Sequence, residues 1–147
     1  MSPFVIPSGS NLPQNGSMAL YYDQSTNVFN LVGVYSGNQL AVATVDVAQP
    51  NVADQLTNKS IYQFANSGGC CGVTPDIAIA RQGNKNIVYT FIPDSGQTGT
   101  LYETDFTDSS NLTTFASRNL SFEMTGLVYD PTVNRSEERR VGKECRL

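Results

Sequence analysis

Met18-Ala-Leu-Tyr-Tyr-Asp-Gln-Ser-Thr-Asn-Val-Phe-Asn-Leu-Val-Gly-Val-Tyr35 decides the fold. Two apolar runs of strand length, Met18–Tyr22 and Val28–Tyr35, flank Asp23-Gln-Ser-Thr-Asn27, whose short polar side chains can bond their own backbone and turn the chain. The spacing predicts an antiparallel hairpin. Ser36-Gly37-Asn38 turns the chain again, and Leu40–Val47 places Ala41, Ala43, Val45 and Val47 on one face, the period-two signature of a strand. A Pro50–Asn58 connection with room for one helical turn leads to a short fourth strand at Ser60–Phe64.

The same order then returns. Asp76–Ala80 is apolar after its first residue, Gln82-Gly-Asn-Lys-Asn86 is a turn, and Ile87–Ile92 is a strand. Pro93-Asp-Ser-Gly-Gln-Thr-Gly99 turns the chain into Thr100–Phe106, which carries Tyr102, Thr104 and Phe106 on one face and Glu103 and Asp105 on the other. A weaker run near Leu112–Phe115 closes this unit, and Thr125-Gly-Leu-Val-Tyr-Asp130 starts a third. The wealth of Val, Ile, Tyr, Phe and turn residues favours strands over helices. The expected class is all-β.

Tyr22-Asp-Gln-Ser-Thr-Asn27 aligns with Tyr129-Asp-Pro-Thr-Val-Asn134, 107 residues later, and Leu40 to Asp46 aligns with Leu101 to Asp105. Halving the interval gives a period of roughly 53 residues with four short strands in each unit, the size of a propeller blade. Over residues 18–134 the chain resembles the β-propeller superfamily, without the signature of any one family. It contains no Trp, so the Trp-Asp and kelch signatures are missing, and Gly68-Gly69 is followed by Cys70-Cys71 rather than by kelch spacing.

The resemblance implies about two four-stranded antiparallel blades of an incomplete propeller. Residues 1–17 are an extension or the end of a preceding blade, 18–75 the first blade, 76–124 the second and 125–134 the start of a third. The small apolar run Ile77-Ala-Ile-Ala80 suits an inner strand crowded from both sides, and Thr100–Phe106 suits an outer strand with one polar face. The alternative architecture is a single β-sandwich, in which the Tyr-Asp match is coincidence.

Residues 135–147, Arg-Ser-Glu-Glu-Arg-Arg-Val-Gly-Lys-Glu-Cys-Arg-Leu, resemble the translation of a sequencing-library adapter, which implies a non-native tail. The charge distribution changes there. The chain has nine Lys+Arg and 13 Asp+Glu; the tail holds five and three of them, leaving four against ten, a net −6, in residues 1–134. Lys59, Arg81, Lys85 and Arg118 are scattered through the body and make no stripe to neutralise phosphates, so nucleic acid is not an expected partner. No apolar window reaches the ~18 residues of a membrane helix. Met1-Ser-Pro-Phe-Val-Ile-Pro7 lacks the basic start and apolar core of a signal peptide.

The chain has no His, so it offers no imidazole base, no Ser-His-Asp or Cys-His pair and no His-bearing zinc site of its own. Glu103 and Asp105 could pair as carboxylates or approach a metal, but they read better as a solvated face. Asp105-Phe-Thr-Asp-Ser-Ser-Asn111 has the polarity of a calcium loop without its glycine or closing Glu, and reads as a turn. No phosphate loop or dinucleotide fingerprint occurs. No catalytic residue, cofactor or metal ligand is therefore assigned.

Cys70 and Cys71 lie in a glycine-flanked loop, and one pair does not make a zinc site. Bridging to each other, bridging to cysteines elsewhere or remaining free are all open, with disulfides preferred. Asn15, Asn58, Asn111 and Asn119 head N-glycosylation sequons, in or near predicted loops. They point to an extracellular or secretory-pathway protein, with a cytoplasmic one as the alternative. Two functions fit. One is a binding or scaffold module with a protein or glycan partner; the other is a fragment of a propeller-fold hydrolase or lactonase whose catalytic residues lie mostly in blades outside this sequence.

Overall fold

A computed structural model of the chain describes residues 17–35, 38–51, 55–65, 75–94, 98–121, 124–130 and 135–140. The described residues are all-β. Strands β1 (Met18–Asp23), β2 (Val28–Tyr35), β3 (Gln39–Val45) and β4 (Leu56–Gln63) form one antiparallel sheet in chain order. Strands β5 (Asp76–Gln82), β6 (Lys85–Pro93), β7 (Gly99–Asp105) and β8 (Thr113–Leu120) form a second of the same topology, and β9 (Met124–Asp130) pairs with β10 (Arg135–Arg140).

Turn chemistry sets both opening hairpins. Asp23 accepts hydrogen bonds from the Ser25 backbone N–H and hydroxyl, and Asn27 closes the turn at φ 59°, a left-handed conformation that Asn tolerates. In the second sheet Gln82 pairs with Lys85 across Gly83-Asn84 alone, with Gly83 at φ 62°, as the first position of a tight two-residue turn requires. In each sheet the fourth strand then carries one extra residue. The register slips between Val42 and Thr44 against β4, and between Glu103 and Thr104 against β8. With Leu40 laid on Leu101, Val42 falls on Glu103, so the two bulges coincide.

The pairings assign every side chain to a face. Ala19, Tyr21, Val32, Val34, Leu40 and Val42 lie on one face of the first sheet, here its front. They pack on Ile77, Ile79, Val88, Ile92 and Tyr102 in the largest core cluster, which also holds Phe64 and Phe106. The opposite face of the second sheet, with Ala78, Ala80, Ile87, Tyr89, Phe91 and Leu101, packs on Leu127 and Tyr129 of β9. The second sheet is thus buried on both faces. Burial of each large apolar side chain contributes about 1.5–3 kcal/mol.

The sense of stacking follows from superposing the two sheets on the pairs that close their first turns, Asp23↔Val28 and Gln82↔Lys85. Tyr21 then falls on Ala80, Val32 on Tyr89 and Val34 on Phe91. All of these face the next sheet along the chain, so each sheet lays its front on its successor's back. The opening strands gather on one side, with β1 beside β5 and β5 beside β9.

Three expectations change. The fourth strand starts at Leu56 rather than Ser60, and the described part of the Pro50–Asn58 connection holds no helical turn. The eighth extends from Thr113 to Leu120, well beyond the apolar Leu112–Phe115, because its ladder to β7 depends on backbone groups rather than side-chain polarity. Thr100–Phe106 is not an outer strand: β7 is paired on both sides. Its Glu103 and Asp105 are half-buried on the front with Tyr89, where Asp105 ion-pairs with Lys85 at 3.2 Å. The tail residues Arg135–Arg140 pair with β9 from Arg135↔Asp130 to Arg140↔Met124. An open sheet edge accepts almost any extended backbone, so this pairing does not depend on what the segment encodes.

Candidate functional site

The seam between the first two sheets ends, beside the opening hairpins, in a buried polar cluster. Asp23, 2% exposed, closes β1 on the front of the first sheet; Arg81 reaches it from the back of β5 and Asn86 from the start of β6. Arg81 Nη1 donates to Asp23 Oδ1 at 2.8 Å and Asn86 Nδ2 to Asp23 Oδ2 at 2.7 Å. The Tyr21 hydroxyl and Arg81 Nη1 both donate to Asn86 Oδ1, at 2.9 and 3.3 Å. Thr107 Oγ1 receives the Asn86 backbone N–H at 2.8 Å.

Burial alone would raise the Asp23 pKa. The hydrogen bonds from Ser25, Asn86 and Arg81 outweigh it and hold the carboxyl far below the usual carboxylate range. Both its oxygens are occupied, so Asp23 is a charged anchor rather than a proton acceptor. Tyr21, Tyr22, Gln24, Ser25 and Arg81 line a surface cleft of about 540 Å³ over this cluster. Tyr22 is 41% exposed and leans on Phe29 at a centroid distance of 4.8 Å. The cleft therefore offers an aromatic face, an amide, a hydroxyl and a guanidinium whose charge Asp23 balances.

A second carboxylate ties the three opening strands. Asp76 starts β5; its Oδ1 accepts from the Ser17 hydroxyl and, at 2.8 Å, from the Ile77 N–H, and its Oδ2 accepts from the Leu127 N–H of β9 at 2.7 Å. It too is consumed by structure. Asp105 and Asp108 accept from Thr107 and Ser110 two residues on, which makes the Asp105–Asn111 segment a pair of side-chain-capped turns. Burial pushes Asp105 up, and the Thr107 bonds and Lys85 bring it below its ordinary value; Ser110 lowers Asp108.

Of the residues singled out in the sequence, Cys70, Cys71 and Asn15 lie outside the described residues. Asn58 lies within β4 rather than a loop. Asn111 is exposed in the turn before β8, whereas Asn119 lies in β8 and accepts a hydrogen bond from the Thr100 hydroxyl at 3.0 Å. Sequence reasoning treated Asp23 as a turn residue and Arg81 as one of four scattered cations. A lone Arg closing the apolar run Ile77-Ala-Ile-Ala80 was the available signal, because a cation there needs a partner from a facing sheet. Comparison with protein-family models, curated proteins and solved structures finds no match.

Proposed function

We propose that the chain is part of a β-propeller-like stack acting as an extracellular binding or scaffold module, with the Tyr21–Tyr22–Arg81 cleft as its recognition site. Three features support the propeller reading over a two-layer sandwich: sheets stacked in series, front on back; opening strands gathered on one side; and coincident bulges in the two fourth strands. The observation that carries the binding reading is the saturation of Asp23 and Asp76, both held by structural hydrogen bonds. What the cleft presents is an aromatic face ringed by neutral donors and a compensated cation, chemistry suited to an uncharged glycan.

The test is retention of the full chain on a panel of neutral oligosaccharides, with lactone and ester substrates assayed in parallel. A Tyr22→Ala, Gln24→Ala variant loses retention on this reading, and neither protein turns substrate over. Turnover of a lactone or ester, or retention that survives both substitutions, contradicts it. Glycans on Asn111 in protein from the native host would support the extracellular placement, and a bare Asn111 would count against it.

A further inference from the structure

The two four-stranded sheets end in the same way. Among the described residues β4 pairs only with β3 and β8 only with β7, so each sheet closes on a strand with one free edge. Such an edge presents a row of unpaired backbone N–H and C=O groups to which an extended chain can add. β8 is disturbed at its start, where Thr104 pairs with Thr114 and Glu103 with Ala116, leaving Phe115 as the extra residue of a bulge. From Ala116 to Leu120 the ladder is regular, and Arg118 is the only charge in that stretch.

The sequons fall at these edges. Asn58-Lys-Ser60 lies in β4, where Asn58 and Lys59 together oppose Ala43; Asn119-Leu-Ser121 lies at the end of β8, and Asn111-Leu-Thr113 leads into it. The other described asparagines, Asn27, Asn30, Asn38, Asn51, Asn84 and Asn86, lie outside the fourth strands and head no sequon. Asn119 is exposed, and its Oδ1 accepts from the Thr100 hydroxyl of β7 at 3.0 Å. That bond fixes the amide on its own sheet and leaves Nδ2, the atom a glycan joins, without a hydrogen-bond partner among the described residues.

We infer that Asn119 carries an N-linked glycan that guards the regular half of the β8 edge against pairing with another chain. This role presupposes the extracellular placement proposed above and is independent of the cleft. In the attaching step Nδ2 bonds to the anomeric carbon of an oligosaccharide carried on a polyprenyl diphosphate. The bond from that carbon to the diphosphate oxygen breaks, the diphosphate leaves with the electron pair, and the amide gives up one proton. An added strand would have to lie about 4.8 Å from β8, and a hydrated sugar rooted there leaves no room for it.

Glycopeptide mass spectrometry of protein from the native host should find Asn119 occupied. A bare Asn119 beside a glycosylated Asn111 overturns the inference and leaves the extracellular placement standing; both bare overturns the two together. The guarding role is tested on the full chain secreted behind a cleavable signal peptide. Ser121→Ala removes the Asn119 sequon and keeps its bond to Thr100, whereas Thr113→Ala removes the sequon of Asn111, which lies in the turn before the edge. Ser121→Ala should lower several-fold the concentration at which light scattering and thioflavin T binding appear, with far-ultraviolet circular dichroism of the dilute protein unchanged, and Thr113→Ala should leave that concentration where it was. An unchanged concentration for Ser121→Ala, or equal falls for the two variants, would overturn the inference.

Discussion

The segments Leu20-Tyr21-Tyr22 and Leu127-Val128-Tyr129 occupy equivalent positions in two opening strands and have opposite fates. Leu127 and Tyr129 pack on Ala78, Ala80 and Tyr89; Leu20 and Tyr22 face outward. The difference lies not in the segments but in what faces them among the described residues: the front of the second sheet covers Leu127 and Tyr129 and leaves Leu20 and Tyr22 untouched. A strand in a serial stack acquires its environment from its neighbour, and the same residue types are core in one sheet and surface in another.

The largest effect should separate those two leucines. Leu127→Ala removes a buried side chain and should cost about 2–4 kcal/mol, whereas Leu20→Ala should change stability by less than about 0.5 kcal/mol. Urea titrations of dilute protein measure both, and equal losses would break the equivalence. Next comes the charged anchor of the seam. Asp23→Ala leaves Arg81 and Asn86 without their acceptor and should cost about 2–3 kcal/mol, reduced from the cost of a fully buried pair because Arg81 is partly exposed. Gln82→Ala, at the equivalent place in the second sheet, loses one neutral bond to Tyr89 and should cost about 1 kcal/mol.

Gly99 shows how closely the second sheet is filled. A β-carbon there would lie 2.3 Å from the buried Phe91 ring and 2.8 Å from the Ile92 carbonyl oxygen, so Gly99→Ala should cost about 1–3 kcal/mol in a thermal melt. The smallest effect has the opposite sign. Among the described residues the Thr90 hydroxyl is buried without a hydrogen-bond partner, and Thr90→Val should be neutral or stabilise by up to about 1 kcal/mol.

The anchor also fixes a pH dependence. The Asp23 pKa is depressed in the folded chain, so at acid pH the unfolded chain binds more protons than the folded one. Its stabilisation is present in full above the ordinary carboxylate range and is lost as pH falls below about 4. Melting temperature against pH should decline on the acid side, and Asp23→Asn should flatten that decline.

The sequence made the hairpins legible because their signals are local. Asp23–Asn27 turns the chain as its composition says, Gln82–Asn86 holds a turn that narrows to Gly83-Asn84 between paired strand residues, and the alternation of Tyr102, Thr104 and Phe106 set the faces of β7 correctly. Thr113–Leu120 was only partly legible, since a fourth strand held by its ladder needs little apolar content. The polar anchors were not legible: Asp23 with Arg81, and Asp76 with Ser17 and Leu127, span 58, 59 and 51 residues and exist only once sheets face each other. Nothing in the alternation of Glu103 and Asp105 revealed that their face would be half covered rather than solvated, because that depends on the neighbouring layer.

Front-on-back stacking is the claim on which the rest depends, and methyl proton cross-relaxation on the full chain tests it most directly. It should link Val32 and Val34 with Val88 and Ile92, and Leu127 with Ala78 and Ala80, while Leu20 shows no contact with the second sheet. Cross-peaks joining Val32 or Val34 to Ala78 or Ala80 would mean that the sheets meet front to front, and would contradict it.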